Sequence, residues 1–349
     1  MLPGVFNTSY KKDMSIVRTK LQLLSVIVGL VFFFTLPLYI GAYWVSFLIH
    51  LCITIIAGLG LHILIGLCGQ ISLGQSALMG VGAYTSAILI TKVGMSSWLS
   101  LPLAGLSAGV VGCVFGAPSL RVKEFYLAMS TLAAQFIIVW AIIHGGDLTG
   151  GSNGLYIPSL RLWGLKIGSG AKLCYVALFL TVLAVIVAKD IQRSRVGRAF
   201  VAIRDNDLAA ESMGINLYRF KLLAFFIGCF FAGVAGWVWA HYMRFVNPEQ
   251  FGLVESLWLV GILVVGGIGS TAGVVLGAIL VRALDMLSDI AATMLGEIFP
   301  EIGAQSFSAL GLILFGIVVA GFLILEPRGL YHRWEITKAY WRLFPYARK

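Results

Sequence analysis

The side chains that could take part in polar chemistry are concentrated in one stretch of this chain, residues 189–221, which we call the central loop. Lys, Arg, Asp and Glu occur together there, whereas the sequence on either side is apolar. Asp205 or Asn206 can cap a short helix, because a side-chain oxygen accepts hydrogen bonds from orphan amides. Gly214 can end that helix in the left-handed conformation. The sequence thus predicts a capped helix that another protein could grip; a solvated loop that only fixes membrane topology is the alternative.

A second group of polar side chains stands inside apolar segments, in residues 69–84 and 126–135. Lipid offers these groups no hydrogen-bond partner, so they must face protein or a water-filled path. They could line a translocation pathway or join helices by hydrogen bonds. The residues assigned to the pathway are Gln70, Ser72, Gln75, Ser130, Thr131 and Gln135.

A third candidate is the glycine-rich run LTGGSNGL, residues 148–155. Its glycines permit tight turns. Thr149, Ser152 and Asn153 are predicted to form a docking surface for a partner outside the membrane, and a plain turn is the alternative.

Catalytic and cofactor chemistry is missing from the sequence. There is no G-x-x-x-x-G-K-[ST] motif for ATP, no paired carboxylates and no Ser/His/Asp set, and the five Cys and five His show no metal-ligand spacing. The apolar segment centres also carry almost no Asp, Glu, Lys or Arg, which argues against ion-driven transport. We therefore predict a protein that is not an enzyme, binds no metal or cofactor itself and takes its energy from partners.

The elements that must position these residues are membrane spans. The chain has 349 residues, of which 59% are hydrophobic and 11% charged, and its mean hydropathy is +0.95. No soluble domain hides that much apolar surface, and spans broken at Gly rather than alternating indicate helices. The net charge of +10 lies mainly in loops and tails, which suits a membrane surface with anionic lipid and not nucleic acid.

Hydropathy predicts an all-α polytopic membrane protein with about ten transmembrane helices. Basic residues place the N-terminus, the central loop and the C-terminal tail on the cytoplasmic side, so an even number of crossings must separate them. The stretch 255–285 must then cross twice, broken at its glycines. Ten spans divide into two five-helix halves of inverted topology. The predicted spans are 21–41, 43–66, 75–92, 97–118, 125–144, 173–189, 221–243, two within 255–285, and 307–326.

Three regions follow from this assignment. Residues 1–20 form a cytoplasmic N-terminal segment, residues 21–326 the transmembrane domain, and residues 327–349 a cytoplasmic tail. Within the transmembrane domain, 190–220 is a cytoplasmic loop and 145–172 the external loop.

Five motifs, taken in order, resemble the permease subunits of branched-chain amino-acid ABC importers, and more closely the LivM type. The resemblance covers roughly residues 45–330 and is weaker for the substrate, since relatives import urea, amides or other amino acids. The motifs are GQISLGQSALMGVGAY, YLAMSTLAAQF, LTGGSNGL, GRAFVAIRDNDLAAESMGIN and NPEQF…GGIGSTAGVVLGA.

The resemblance implies a permease in a bacterial-type inner membrane. It would work with a homologous second permease subunit, two cytoplasmic ATPases that bind ATP and Mg, and an external substrate-binding protein. One alternative is an ABC permease for urea, amides or another small polar solute, and a second is a stand-alone secondary transporter. Leu208 stands where relatives usually carry Glu in the loop that docks the ATPase. The residues assigned to ATPase coupling are Arg204, Asp205, Asp207, Ala209, Ala210, Glu211 and Gly214.

Overall fold

The fold is that of a helical membrane protein. A computed structural model describes residues 20–119, 124–162, 165–167, 170–298, 310–326 and 329–343. Apart from Lys20, the predicted N-terminal segment lies outside these residues.

Most of the described helices follow the predicted spans closely. The exception is the helix Thr271–Ile298, which continues well beyond the predicted limit at residue 285. Residues 255–285 are split, as expected, at the glycines between the tenth and eleventh helices. The helices are α1 (Lys20–Tyr39), α2 (Ala42–Leu61, continued by a π-helical turn over His62–Leu67), α3 (Gln75–Thr91), α4 (Ser97–Ser119), α5 (Glu124–Ile143), α6 (Ala171–Arg193), α7 (Arg195–Asp205), α8 (Asp207–Ser212), α9 (Leu217–Met243), α10 (Leu253–Gly266), α11 (Thr271–Ile298), α12 (Leu310–Leu325) and α13 (Gly329–Leu343). Antiparallel strand pairs join β1 (Leu155–Tyr156) to β4 (Phe245–Val246) and β2 (Leu160–Leu162) to β3 (Leu165–Ile167).

Several helices are long and apolar enough to cross a bilayer. Large apolar side chains face outwards on the peripheral helices: Val114 is 63% exposed, Phe136 56% and Phe179 59%. Lipid is the solvent that tolerates such a surface. Among the described residues, 6 segments meet the length and hydropathy of a span, and a bent pair, Gly311–Leu325 with Gly329–Tyr340, meets them jointly. The all-α polytopic class is confirmed, and the count of ten crossings stays a prediction.

The core of the bundle is α2, which is buried on nearly every side. A helix that is apolar all round is typical of such a position. α9 packs against α2, α3 and α4. Glycines allow these close approaches: a Cβ added at Gly82 would collide with the backbone of Gly233, and one at Gly60 with that of Gly228. Small residues at helix contacts are the usual means of packing within lipid.

Contacts between loops place the ends of the helices. Gln192 of the central loop donates from Nε2 to the carbonyl of Gly269, between α10 and α11, at 3.2 Å. A side chain at Gly329, where α13 begins, would collide with Gly267 in the same break. The central loop, this break and the start of the tail therefore lie at one end of the bundle. The sequence predicts an even number of membrane crossings between each of these segments. Segments separated in this way lie on the same side of the membrane, which agrees with their position at one end of the bundle.

The two halves also pack in matching ways. α3 contacts α4 and α5, and α10 contacts α11 and α12. Likewise α9 contacts α4 while α2 contacts α11. This correspondence is what two related five-helix halves would produce, and their inverted orientation remains a prediction.

Replacing Gly236 by Ala should destabilise the α3–α9 contact, because the added Cβ would meet the carbonyl oxygen of Met79, which cannot move aside. Overpacking of this kind costs about 1–3 kcal/mol in free energy of unfolding. Thermal unfolding of the purified protein in detergent would show a lowered Tm. Gly316→Ala in α12 is the matched control, since nothing lies within 4 Å of its added Cβ. Equal stability of the two variants would contradict this packing.

Candidate functional site

Two short helices meet with their N-termini inside the bundle. α3 has 17 residues and α10 has 14, so they are about 26 Å and 21 Å long, less than the roughly 30 Å hydrocarbon core. The backbone N–H of Ser76, at the start of α3, donates to Ser256 Oγ, at the start of α10, at 2.9 Å. Such discontinuous helices leave amides that must be satisfied away from water.

Gln135 of α5 completes this junction. Its Oε1 accepts from the backbone N–H of Ala77 at 3.0 Å and from Ser256 Oγ at 3.1 Å, and its Nε2 donates to the carbonyl of Phe251 at 2.6 Å. One helical turn away, Thr131 Oγ1 accepts from the backbone N–H of Leu73 at 3.0 Å. These side chains therefore hold the non-helical backbone on either side of the junction.

The predicted pathway residues divide into two sets. Gln75 and Gln135 make hydrogen bonds between helices, and Thr131 bonds to the segment that precedes α3. Gln75 Nε2 donates to the carbonyls of Ala57 at 3.3 Å and Gly228 at 3.2 Å. This is the packing role that the sequence left open. Gln70 and Ser72 are buried, and their side chains have no hydrogen-bond partner among the described residues. Ser130 is half-buried.

An unpartnered histidine lies between α2 and α3. His62 is fully buried at the start of the π-helical turn, and neither ring nitrogen has a partner in the described part of the chain. Its ring lies against Gly66, where an added Cβ would strike it. π-Helical turns often mark functional positions, because they trade helical regularity for a local change of direction.

A charged cluster that no sequence motif indicated lies beside the junction. Arg282 of α11 donates from Nε to Thr54 Oγ1 at 2.8 Å and from Nη1 to Asp285 Oδ2 at 2.9 Å. Glu255 of α10 and Arg282 line a common cavity with Ser76. Glu255 lies in the first turn of α10, and Arg282 and Asp285 lie within α11, so these ionisable groups stand in segments where the sequence predicts almost none. The signal was present, because these three charges stand within the otherwise apolar stretch 255–285.

The central loop folds as two capped helices. Ser194 Oγ accepts from the backbone N–H of Gly197 at 3.1 Å and caps α7. Asn206, and not Asp205, caps α8 by accepting from the backbone N–H of Ala209 at 3.0 Å. Gly214 follows α8 with φ of 85°. The predicted short helix with its asparagine cap and glycine end is therefore present.

Arg204 joins the central loop to the bundle. Its Nη1 donates to the carbonyl of Gly66 at 2.6 Å, and its Nε and Nη2 donate to Asp205 Oδ1 at 3.0 and 2.9 Å. The aliphatic part of its side chain fills the space beside Gly69, which has φ of 73°. Displacement of α7 would therefore pull on the segment between α2 and α3.

The residues of α8 face two directions. Ala210 is buried against this chain, with 4% of its surface exposed. Asp207, Ala209 and Glu211 are exposed. The apolar side chains of Leu208 and Met213 are also exposed, with 75% and 83% of their surface accessible. A partner that contacts α8 would meet these last two side chains first.

The external-loop residues also differ from one another. Thr149 is buried, and its Oγ1 donates to the carbonyl of Ile142, in the last turn of α5, at 2.7 Å. This hydrogen bond holds the loop to the end of the helix. Ser152 and Asn153 are exposed on the following 3₁₀ turn. The pairing of β1 with β4 fixes this loop beside the start of the segment that leads to α10.

Gln135→Leu should destabilise the protein by about 1–3 kcal/mol in free energy of unfolding, because it leaves the amide of Ala77 and the carbonyl of Phe251 unsatisfied. Ser130→Ala on the same helix is the control, since no hydrogen bond of its side chain is seen among the described residues. Thermal unfolding in detergent would separate the two variants. A Gln135→Leu variant as stable as Ser130→Ala would refute the role of the glutamine.

Comparison with known proteins agrees with this architecture. A family described as "Branched-chain amino acid transport system / permease component" matches residues 43–325. The LivM permease of the high-affinity branched-chain amino acid transport system of Escherichia coli (strain K12) is 33% identical over 343 residues, which cover 91% of this chain and 76% of that protein. The probable LivM permease of Methanocaldococcus jannaschii is 24% identical, covering 66% of this chain and 67% of that protein.

The similarity extends to a second type of permease. The LivH permease of Salmonella typhimurium is 25% identical over 80% of this chain and 91% of its own length. Among solved structures, a chain in "PsaBC from Streptococcus pneumoniae in complex with Fab" gives a TM-score of 0.44 at 13% identity, over 88% of this chain and 97% of that one, a likeness too weak to inform the fold. The family match spans most of the chain, and the chain belongs to the permease components of branched-chain amino acid transport systems.

Proposed function

We propose that this permease is the LivM-type membrane subunit of an ATP-driven importer for branched-chain or related amino acids. The observation that carries the proposal is the 33% identity to a LivM permease over 91% of the chain. The homologous second permease, two ATPase subunits that bind ATP and Mg, and the external binding protein come from the same assignment. So does the inner membrane, with both termini in the cytoplasm.

The central loop is the proposed contact with an ATPase subunit. Its candidate residues remain Arg204, Asp205, Asp207, Ala209, Ala210, Glu211 and Gly214. The exposed Leu208 and Met213 add an apolar centre to that surface. A buried apolar centre with charges at its rim is the usual anatomy of a protein interface. Ala210 contributes by seating α8 on its own chain.

The same loop offers a route for motion into the membrane. Arg204 hydrogen-bonds to Gly66 and packs against Gly69, on either side of the turn that leads to α3. A rigid displacement of α7 and α8 on ATP binding would therefore shift the backbone that carries Gln70 and Ser72. Small shifts of this kind are amplified when a packed bundle has two stable arrangements.

The remaining assignments concern the path and the outer face. Gln70 and Ser72 are proposed pathway residues with unpaired groups, and Gln75, Ser130, Thr131 and Gln135 frame the same region. Ser152 and Asn153 are proposed to touch the binding protein, with Thr149 holding their turn in place.

ATP-dependent uptake tests the whole proposal. The chain, reconstituted in proteoliposomes with a second permease, the ATPases and the binding protein, should accumulate L-leucine only when ATP is supplied. Urea and acetamide serve as competing solutes for the related importer class. Uptake by the chain alone under an ion gradient would instead support a secondary transporter, for which the charges of α10 and α11 would be suitable. Uptake of urea or acetamide, and not of leucine, would overturn the amino-acid assignment.

Leu208→Glu, combined with Met213→Glu, should uncouple the importer. Two carboxylates would replace the apolar centre of the proposed ATPase contact, at positions that are exposed in this chain, so the fold should survive. We expect a fall of about tenfold or more in leucine uptake, and weaker co-purification of the ATPase. Ile336→Glu, at an exposed apolar position of α13, is the control. Normal uptake by the double variant would exclude α8 as the contact.

A further inference from the structure

A small cavity lies where α2, α3, α9, α10 and α11 converge. Its walls include polar groups from Thr54, Ser76, Glu255 and Arg282, and apolar groups from Met79 and Leu259. Its volume is about 20 Å³, enough for roughly one water molecule. The N-termini of α3 and α10 meet beside it through Ser76 and Ser256.

The cation in this cavity is only partly satisfied. Arg282 uses Nε for Thr54 and Nη1 for Asp285, and within the described residues its Nη2 has no hydrogen bond. Its side chain is 20% exposed. A guanidinium group has five donors, arranged in a fork that fits a carboxylate. Arg282 is thus held in place by two contacts and keeps donors for a third.

The anion in the cavity has no fixed partner. Glu255 forms no hydrogen bond or ion pair within the described part of the chain, although Arg282 lines the same cavity. It is exposed on the surface of the single chain. A carboxylate at that position in a membrane protein must face water or another subunit, because lipid would not solvate it.

A buried hydroxyl completes the set. Ser76 is 1% exposed, and its Oγ has no hydrogen-bond partner among the described residues. Leaving a buried polar group unsatisfied costs free energy, so this hydroxyl, beside two incompletely paired charges, needs a partner that enters the cavity.

We propose that this cavity is the point at which the permease holds the zwitterionic head group of an amino acid in transit. The substrate carboxylate would bind the free donors of Arg282 and the Ser76 hydroxyl, near the positive ends of α3 and α10. The substrate ammonium group would bind Glu255. Met79 and Leu259 would contact an aliphatic side chain. This assignment rests on the proposed function. It adds that the permease subunit itself recognises the carboxylate and ammonium groups of the substrate.

The present size of the cavity is part of the inference. An amino acid needs far more room than a single water molecule, so the cavity in this conformation is too small to hold one. Because its walls come from both halves of the bundle, relative movement of the halves would open it. Transport by alternating access requires such a movement of one half of the bundle against the other.

Uptake by the reconstituted importer tests the site. Glu255→Gln and Arg282→Gln should each lower the rate of leucine uptake by about tenfold or more, since each removes a charge-assisted contact with the substrate. Binding-protein-stimulated ATP hydrolysis should continue, which shows that the complex is folded and assembled. Asp289→Asn, on α11 but not part of the cavity lining, should keep wild-type uptake.

The double variant Glu255→Gln/Arg282→Gln separates a substrate site from a structural ion pair. If the two charges only stabilise each other, removing both should restore much of the uptake lost in the single variants. If both bind substrate, the double variant should be at least as slow as either single one. Restored uptake, or wild-type uptake in the single variants, would overturn the inference.

Ser76→Ala covers the case in which the charge variants fail to assemble. It removes a hydroxyl with no partner in the described fold, so it should not lower stability, and we expect uptake to fall about threefold or more. Wild-type uptake would then overturn the inference. If the wild-type importer carried no amino acid at all, the proposed function would fail first, and the site with it.

Discussion

The need to satisfy backbone amides in a medium without water governs the centre of this protein. α3 and α10 both begin inside the bundle, where their first N–H groups would otherwise have no partner. Ser256 and Gln135 supply the acceptors for Ser76 and Ala77, and Thr131 supplies one for Leu73. Three side chains from two elements therefore satisfy amides at and just before the start of α3, which allows that helix to begin inside the bundle. The polar cavity beside the N-termini of the two helices exists because of that interruption.

The junction also explains how the two candidate sites are related. On one side lies the cavity with Glu255, Arg282 and Ser76. On the other, the backbone that enters α3 runs past Gly69 to the π-helical turn, where Arg204 of the central loop is hydrogen-bonded. A push on the loop would thus act on the segment that leads to the cavity wall. Glycine contacts also hold α2 and α3 close against α9 in this part of the bundle.

Much of the fold could be predicted from the sequence because lipid imposes simple rules. The lengths of the apolar segments predicted the helices. Because an even number of crossings must separate the basic segments, the stretch 255–285 was expected to turn back on itself, and the break between α10 and α11 allows this. Local chemistry was equally predictable at α8, where Asn206 caps and Gly214 ends the helix. The candidate site was harder to predict, because the sequence pattern around a glutamine within a span is the same whether its side chain binds substrate or another helix. Gln135 is committed to three hydrogen bonds, and neither composition nor spacing contains that information.

What the sequence determined by itself is the class of protein, the approximate helix bounds and the motifs of an importer permease, because these depend on local composition and order along the chain. What only the tertiary structure decided is which side chains converge. Glu255 and Arg282 are 27 positions apart in an apolar stretch, and folding back at the Gly266–Gly267 break brings them to one cavity with Ser76 from a distant helix. The direction of α8 was settled in the same way: burial of Ala210 leaves Leu208 and Met213 exposed. Both outcomes depend on packing between segments far apart in sequence, which no local pattern encodes.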